Sequence, residues 1–371
     1  MSDSFSYAKL LRWYRRHRRD LPFRPAAHRP ANPYHVMVSE AMAQQTQIAT
    51  VVPYFERFVA AFPTVDDLAQ ADPRRVLSLW QGLGYYRRAR HLQEAARLIV
   101  EQHRGRVPRT LPELLKLPGV GRYSAGAIAS VAYNLPAPIV DGNVARVYAR
   151  HDLIRAPVDR PETLKRLWAL AEDRVQAASH PRDYNQAVME LGALVCTPKN
   201  PRCLVCPLRE SCRGLAAGCA EELPHKTPKK KPIAVAHTVF ALCRRDRFLF
   251  EQRPARGLWA SLWQLPTLES PLPDDLPGLL LDRFGLRTDA PEPVAEFSQA
   301  TTHRAIRFTL LRCPVISGRL RARSAPSHPR PVWRSLDNLD DLPLAKPQLT
   351  ALSHLRGDDV SARPRKSRKV V

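Results

Sequence analysis

Residues 117–126 read LPGVGRYSAG, and this stretch decides how the first half of the chain is organised. Two glycines stand two apart behind a proline, and a run of small residues follows. The pattern predicts a short helix over 111–117, a turn over 118–121 and a second helix from Arg122 onward. Gly119 and Gly121 permit unusual backbone angles and close approach, so that successive N–H groups and a helix N-terminus can face one phosphate. Such a hairpin would hold a nucleic-acid backbone without reading its sequence. An ordinary turn between two helices is written with the same residues, and the segment alone does not separate the two.

Outward from this turn, apolar residues recur at three- and four-residue intervals over 40–50, 72–79, 86–103, 122–133 and 181–194, which predicts helix after helix. Asp72 before Pro73 reads as an N-cap followed by an N1 proline, and Asp159 with Glu162 as a capping box. No comparable run of alternating strands precedes Cys212. The chain has 371 residues, with 58 Lys and Arg against 35 Asp and Glu, a formal charge of +23. That length accommodates two domains with separate cores, and the charge favours a polyanionic partner, most simply nucleic acid. No apolar stretch approaches the roughly 20 residues that span a bilayer, and the N-terminus lacks the apolar core of a signal peptide. The expected location is cytoplasmic, on the nucleoid in a bacterium.

Two carboxylates carry possible chemistry. Asp141 in IVDGNVARVYAR precedes a helix, where it is either a simple N-cap or also an ionised group that could face a developing positive charge. Glu40 in VMVSEAMAQQTQ lies in an apolar helical stretch. Facing solvent it is unremarked, whereas facing inward it is desolvated and its pKa rises toward the range of a general acid.

The loop CTPKNPRCLVCPLRESC places Cys196, Cys203, Cys206 and Cys212 in a C-x6-C-x2-C-x5-C spacing. In a reducing compartment such a cluster points to metal ligation, and four thiolates suit either a tetrahedral zinc or a [4Fe–4S] cluster. Lys199, Arg202 and Arg209 make the loop basic, a surface for phosphates. Cys219, Cys243 and Cys313 lack ligand spacing and read as structural. Beyond Cys212, small residues, lysine and proline over 213–232 read as a solvated linker. Residues 233–356 read as an α+β domain with a hairpin at Arg244-Arg245-Asp246. Residues 357–371 read as a basic disordered tail.

Taken together, SEAMAQQTQ, PYFERF, GLGYYRRAR, LPGVGRYSAG, VDGNVARV, NQAVMELGALVC and the cysteine loop resemble, in order, the helix-hairpin-helix DNA glycosylases. The closest resemblance is to the adenine-specific MutY family. It implies a mainly α glycosylase domain over 1–212 with a [4Fe–4S] loop at 196–212, followed by a MutT/Nudix-like domain over 233–356 that recognises 8-oxoguanine. It also implies a monomeric, monofunctional enzyme of base excision repair that acts on adenine opposite 8-oxoguanine or guanine in double-stranded DNA and leaves an abasic site. By the resemblance, Glu40 is the acid that protonates the base, Asp141 stabilises the sugar cation, and Asn143 is a polar neighbour. Gln45 and Tyr85 match the wedge residues at the lesion. Relatives that also cut the strand carry a lysine at the position of Tyr123, which has no amine to form a Schiff base; here the tyrosine helps position Asp141.

The chain departs from the family in places. Thr301-Thr302-His303 stands where Phe-Ser-His is common, so that Thr302 and His303 keep the polar groups while the aromatic is lost. Ala43 replaces a leucine and Phe23 a tryptophan. No glutamate-rich Mg2+ box follows Pro266, so the second domain reads lesions and does no chemistry. An endonuclease III-like lyase and a non-catalytic DNA-damage binder are the competing expectations.

Overall fold

The computed structural model describes residues 5–24, 30–228, 232–321 and 330–358. Apart from Gly357 and Asp358, the expected tail lies outside the described residues. In chain order the helices of the first half are α1 (Tyr7–His17), α2 (Pro33–Ala43), α3 (Ile48–Ala61), α4 (Val65–Gln70), α5 (Pro73–Leu79), α6 (Arg87–His103), α7 (Leu111–Leu114), α8 (Arg122–Ala127), α9 (Gly142–His151), α10 (Pro161–Gln176), α11 (Pro181–Leu194) and α12 (Arg213–Ala216). The chain divides into two compact units. One comprises residues 5–71 and 88–228, and the other combines 72–87 with 232–321 and 330–358.

The first unit is built around α11, against which α1, α9 and α10 pack through Leu10, Tyr14, Val144, Tyr148, Leu167, Tyr184, Val188 and Leu191. The crossing of α9 and α11 is close because Gly192 has no side chain: a Cβ there would lie 2.6 Å from Asn143 Cβ. Gly119 adopts φ +76°, and a Cβ on it would meet His91 Cβ at 2.7 Å, so both its angle and its smallness are required. Gly121 is different. It is the N-cap of α8 in an extended conformation, with open space where a Cβ would stand.

Several local expectations are corrected. The helix expected over 40–50 is two helices, α2 and α3, separated by a turn in which Gln45 takes φ 57°. The polar Gln-Gln-Thr run gives that break no apolar face to bury. The helix expected over 122–133 continues from α8 into one π turn, Ile128–Ala132, whose carbonyls at Val131 and Ala132 accept from Arg182. Asp159 forms no capping box. Pro161 at N1 makes Arg160 the N-cap of α10, leaving Asp159 one residue early, and its carboxylate accepts from Thr227 N and Oγ1. The segment expected as a solvated linker packs along the first unit up to residue 227. Cys219, Ala220 and Leu223 are buried, and Arg150 Nε donates to Leu223 O. Cys219, Cys243 and Cys313 are all buried.

The second unit is a mixed sheet with a helix on each face. Its strands are β1 (Ile233–Arg244), β2 (Arg247–Gln252), β3 (Trp263–Gln264), β4 (Thr267–Leu268), β5 (Leu286–Thr288), β6 (Glu292–Ala300), β7 (Arg304–Gly318) and β8 (Val332–Ser335), and its later helices are α13 (Leu276–Phe284) and α14 (Lys346–Arg356). β1 lies parallel to β7 from Ile233↔Arg304 to Cys243↔Pro314, and antiparallel to β2 through the expected tight turn at Arg245-Asp246. Side chains alternate by strand period. Val239, Ala241, Phe250 and Phe308 pack with α14, while Phe240, Leu242, Leu249 and Leu311 pack with α13. Within this unit Tyr86 Oη donates to Leu344 O, Ser78 Oγ to Asp340 O, and Leu344 N to Gln81 Oε1.

Candidate active site

Asn32 begins α2 by accepting from Tyr34 N and His35 N, and the helix then buries Val36, Met37, Val38 and Met42. Glu40 lies on the face turned toward a cavity of about 850 Å³, which Gln45, Tyr123, Asp141 and Asn143 also line. The structure therefore brings five of the expected site residues into one chamber. Glu40 is surrounded by protein yet keeps an opening to solvent through that chamber. Burial pushes its carboxyl up to about 7; the Tyr123 hydroxyl pulls it down and the charge of Asp141 pushes it up. Burial, with the charges of Glu40 and Asp141, holds the Tyr123 hydroxyl well above its ordinary value, and it stands 3.5 Å from Met189 Sδ. The tyrosine thus shares the chamber with both carboxyl groups.

Asp141 is the N-cap of α9. Its Oδ1 accepts from Asn143 N at 2.9 Å and Val144 N at 2.7 Å, and its Oδ2 from Asn143 Nδ2 at 2.9 Å. Burial still raises its pKa above the ordinary aspartate value, outweighing those bonds and the charge of Arg146. Asn143 is fixed in turn, because its Oδ1 accepts from Arg146 Nη2 at 2.8 Å, while the same guanidinium donates to Gly192 O and Cys196 O.

One wall of the chamber was missed from the sequence. Glu190 on α11 is buried and receives Arg19 Nε and Nη2, the Arg19 backbone N–H, and Arg24 Nη2 at 2.8–3.0 Å. Burial pushes this carboxyl up, but the two arginines outweigh it and hold it at about 2. Gln186, one helical turn earlier, lines the same wall, as do Phe23 and Met189. The available signal was two polar residues four apart on the apolar face of NQAVMELGAL. A glutamate there has to find a cation, and RRHRRD near the N-terminus supplies several.

The four cysteines line a second, small cavity with Arg150, Val195 and Leu215. Arg150 Nη1 donates to Cys196 Sγ at 3.3 Å, and Cys212 Sγ to Arg150 O at 3.6 Å. Among the described residues no three ligating side chains are grouped tightly enough for a single metal ion. Burial raises the thiols of Cys203 and Cys212 and pushes Cys206 up to about 12. Thiols held so high ionise when a cationic centre lies between them. Arg202 and Arg209 donate to Leu194 O and Leu204 O, so two of the loop's cations also brace it.

In the second unit Tyr85, exposed and at φ 49°, places its hydroxyl 3.3 Å from Thr302 Oγ1. His303 beside it is exposed, and its carbonyl accepts from Ile233 N.

Residues 38–173 match the family described as HhH-GPD superfamily base excision DNA repair protein, and residues 238–354 match the NUDIX domain. The chain is 50% identical over 307 residues to the adenine DNA glycosylase of Rattus norvegicus, covering 70% of this chain and 59% of that one. It is 30% identical over 341 residues to the adenine DNA glycosylase of Buchnera aphidicola subsp. Schizaphis graminum, covering 91% and 95%. It spans about half the length of the mammalian relatives it matches, 56% of the human and 41% of the mouse protein. Among solved structures, a thermostable thymine-DNA glycosylase is similar with a TM-score of 0.51 and 28% identity, over 56% of this chain and 94% of that one. On the matches that run through both units, the chain belongs to the adenine DNA glycosylase family.

Proposed function

We propose that this protein hydrolyses the N-glycosidic bond of adenine paired with 8-oxoguanine or guanine in double-stranded DNA, leaving an abasic site. The observation that carries this is the pair of carboxyl groups in one chamber: Glu40, which holds a proton up to about pH 7, and Asp141, fixed by Asn143 and Val144. An extruded purine enters the chamber and Glu40 protonates it, so that the C1′–N9 electron pair leaves with a neutral base. Asp141 faces the sugar cation that remains, and water adds to C1′ while its proton passes to the Glu40 carboxylate, restoring the acid. Among the described lining residues there is no lysine, and Tyr123 offers no amine to the sugar, which favours hydrolysis over strand-cutting lyase chemistry.

The same reading gives the other parts their work. The hairpin at Gly119 and Gly121 holds the DNA backbone, Gln45 and Tyr85 act as wedges at the lesion, and Thr302 and His303 read the base opposite the adenine. Cys196, Cys203, Cys206 and Cys212 would hold a [4Fe–4S] cluster, which supplies a cationic, rigid centre for the loop. The reading places the protein on DNA in the cytoplasm, as a monomer. The test is single-turnover incubation with a duplex carrying one adenine opposite 8-oxoguanine. Strand breaks appearing only after hot alkali are expected; breaks without alkali would overturn the hydrolytic assignment.

A further inference from the structure

We infer that Arg88 is a positioning residue for nucleotide extrusion, acting through the Gln44–Thr46 turn that carries Gln45; this rests on the glycosylase reading above. The last carbonyls of a helix have no partners of their own within it. At the end of α2, Arg88 Nη1 stands 2.9 Å from Ala41 O, 2.8 Å from Met42 O and 2.6 Å from Gln44 O, and Nη2 stands 3.3 Å from Thr46 Oγ1. One guanidinium on the first turn of α6 therefore gathers the C-terminus of the helix that bears Glu40 and both flanks of Gln45. It also sets a positive charge at the negative end of the α2 dipole.

Gln45 is left-handed at φ 57°, a conformation that residues with side chains disfavour. The rest of the turn is pinned from the other side, where Gln44 Nε2 donates to Ser124 Oγ at 3.3 Å, next to Tyr123. Gln45 itself is exposed at the mouth of the chamber. A side chain that takes a base's place in the stack is pushed back by stacking and pairing, and a turn held only by its own backbone would yield. The planar fork of arginine reaches several carbonyls at once, whereas lysine offers one compact charge.

The test compares wild type with Arg88→Lys and Arg88→Met in the full chain. The duplex carries an uncleavable 2′-fluoro-deoxyadenosine opposite 8-oxoguanine, with 2-aminopurine as its neighbour to report extrusion by fluorescence. Arg88→Lys is expected to bind with unchanged affinity but to lose most of the fluorescence rise, and its single-turnover excision on the cleavable duplex falls about 100-fold. Adding Arg88→Lys to Gln45→Gly is expected to slow excision no further. Wild-type extrusion and excision in Arg88→Lys, or losses that multiply in the double variant, would overturn the proposal alone. If wild-type protein leaves adenine in place, the glycosylase reading fails and the proposal with it. Arg88→Met distinguishes charge from shape: a deeper loss of extrusion than in Arg88→Lys supports the clamp, and equal extrusion by both at the wild-type level refutes it.

Discussion

Under the proposed function, the environment of Glu40 sets both the role of its proton and its cost in stability. With a folded-state value of about 7 against 4.5 when exposed, the protonated form is favoured in the native protein. Its contribution to stability is therefore complete below pH 4.5 and is lost as pH rises through 7. Glu40→Gln removes that loss, so at pH 8 the variant is expected to be more stable by about 3 kcal/mol, with the difference vanishing near pH 4; urea unfolding at the two pH values measures this. The same variant should bind lesion DNA normally while losing about 10²–10⁴-fold in excision. In the wild type, excision should fall tenfold per pH unit above about 7 as the acid deprotonates, with the acid limb set by Asp141. Asp141→Asn keeps a capping side chain, so it should fold normally yet lose about 10²–10³-fold in rate. Asp141→Ala should cost about 1 kcal/mol of stability besides.

At the scale of elements, the site depends on how closely helices approach. Gly192 lets α11 come down on the start of α9, where Asn143 holds Asp141. Gly192→Ala would force its new methyl to within 2.6 Å of Asn143 Cβ. The expected cost is about 1–3 kcal/mol in thermal unfolding, with excision lost more steeply than DNA affinity because the carboxylate moves and the hairpin does not. Gly119→Ala makes the converse prediction. Its φ of +76° and its contact with His91 put the strain in the hairpin, so affinity should fall equally for damaged and undamaged duplexes, with a shallower salt dependence.

On the scale of the whole molecule, the cysteine loop is tied to the Glu40–Asp141 chamber through α9: Asp141 caps its start, and Arg146 and Arg150 reach Cys196 from its middle. If the loop holds the proposed [4Fe–4S] cluster, Cys206→Ser lowers iron and acid-labile sulfide together, measured on purified protein. It should destabilise the segment 196–223, read as faster amide exchange there, before it affects the chemistry of already bound substrate. The second unit also draws on a piece of chain distant in sequence. Residues 72–87 bond to Asp340 and Leu344 and bring Tyr85 to Thr302, a grouping that periodicity cannot reveal, because α5 reads as one more amphipathic helix.

The sequence by itself determined what is local or written in spacing. The glycine hairpin, the helices from 181 to 194 and from 86 to 103, the tight turn at Arg245-Asp246 and the four-cysteine loop all follow from short-range periodicity and turn chemistry. The ordered set of motifs gave the family. Tertiary structure alone decided which face of α2 Glu40 occupies, and hence that its proton is held to about pH 7, since burial depends on neighbours remote in sequence. It also ended α2 at Ala43 with the help of Arg88, paired Glu190 with Arg19 and Arg24, and buried Cys219, Ala220 and Leu223 in the stretch after Cys212. These are long-range pairings of charge, carbonyl and apolar surface, and nothing in the local pattern fixes which partner each group finds.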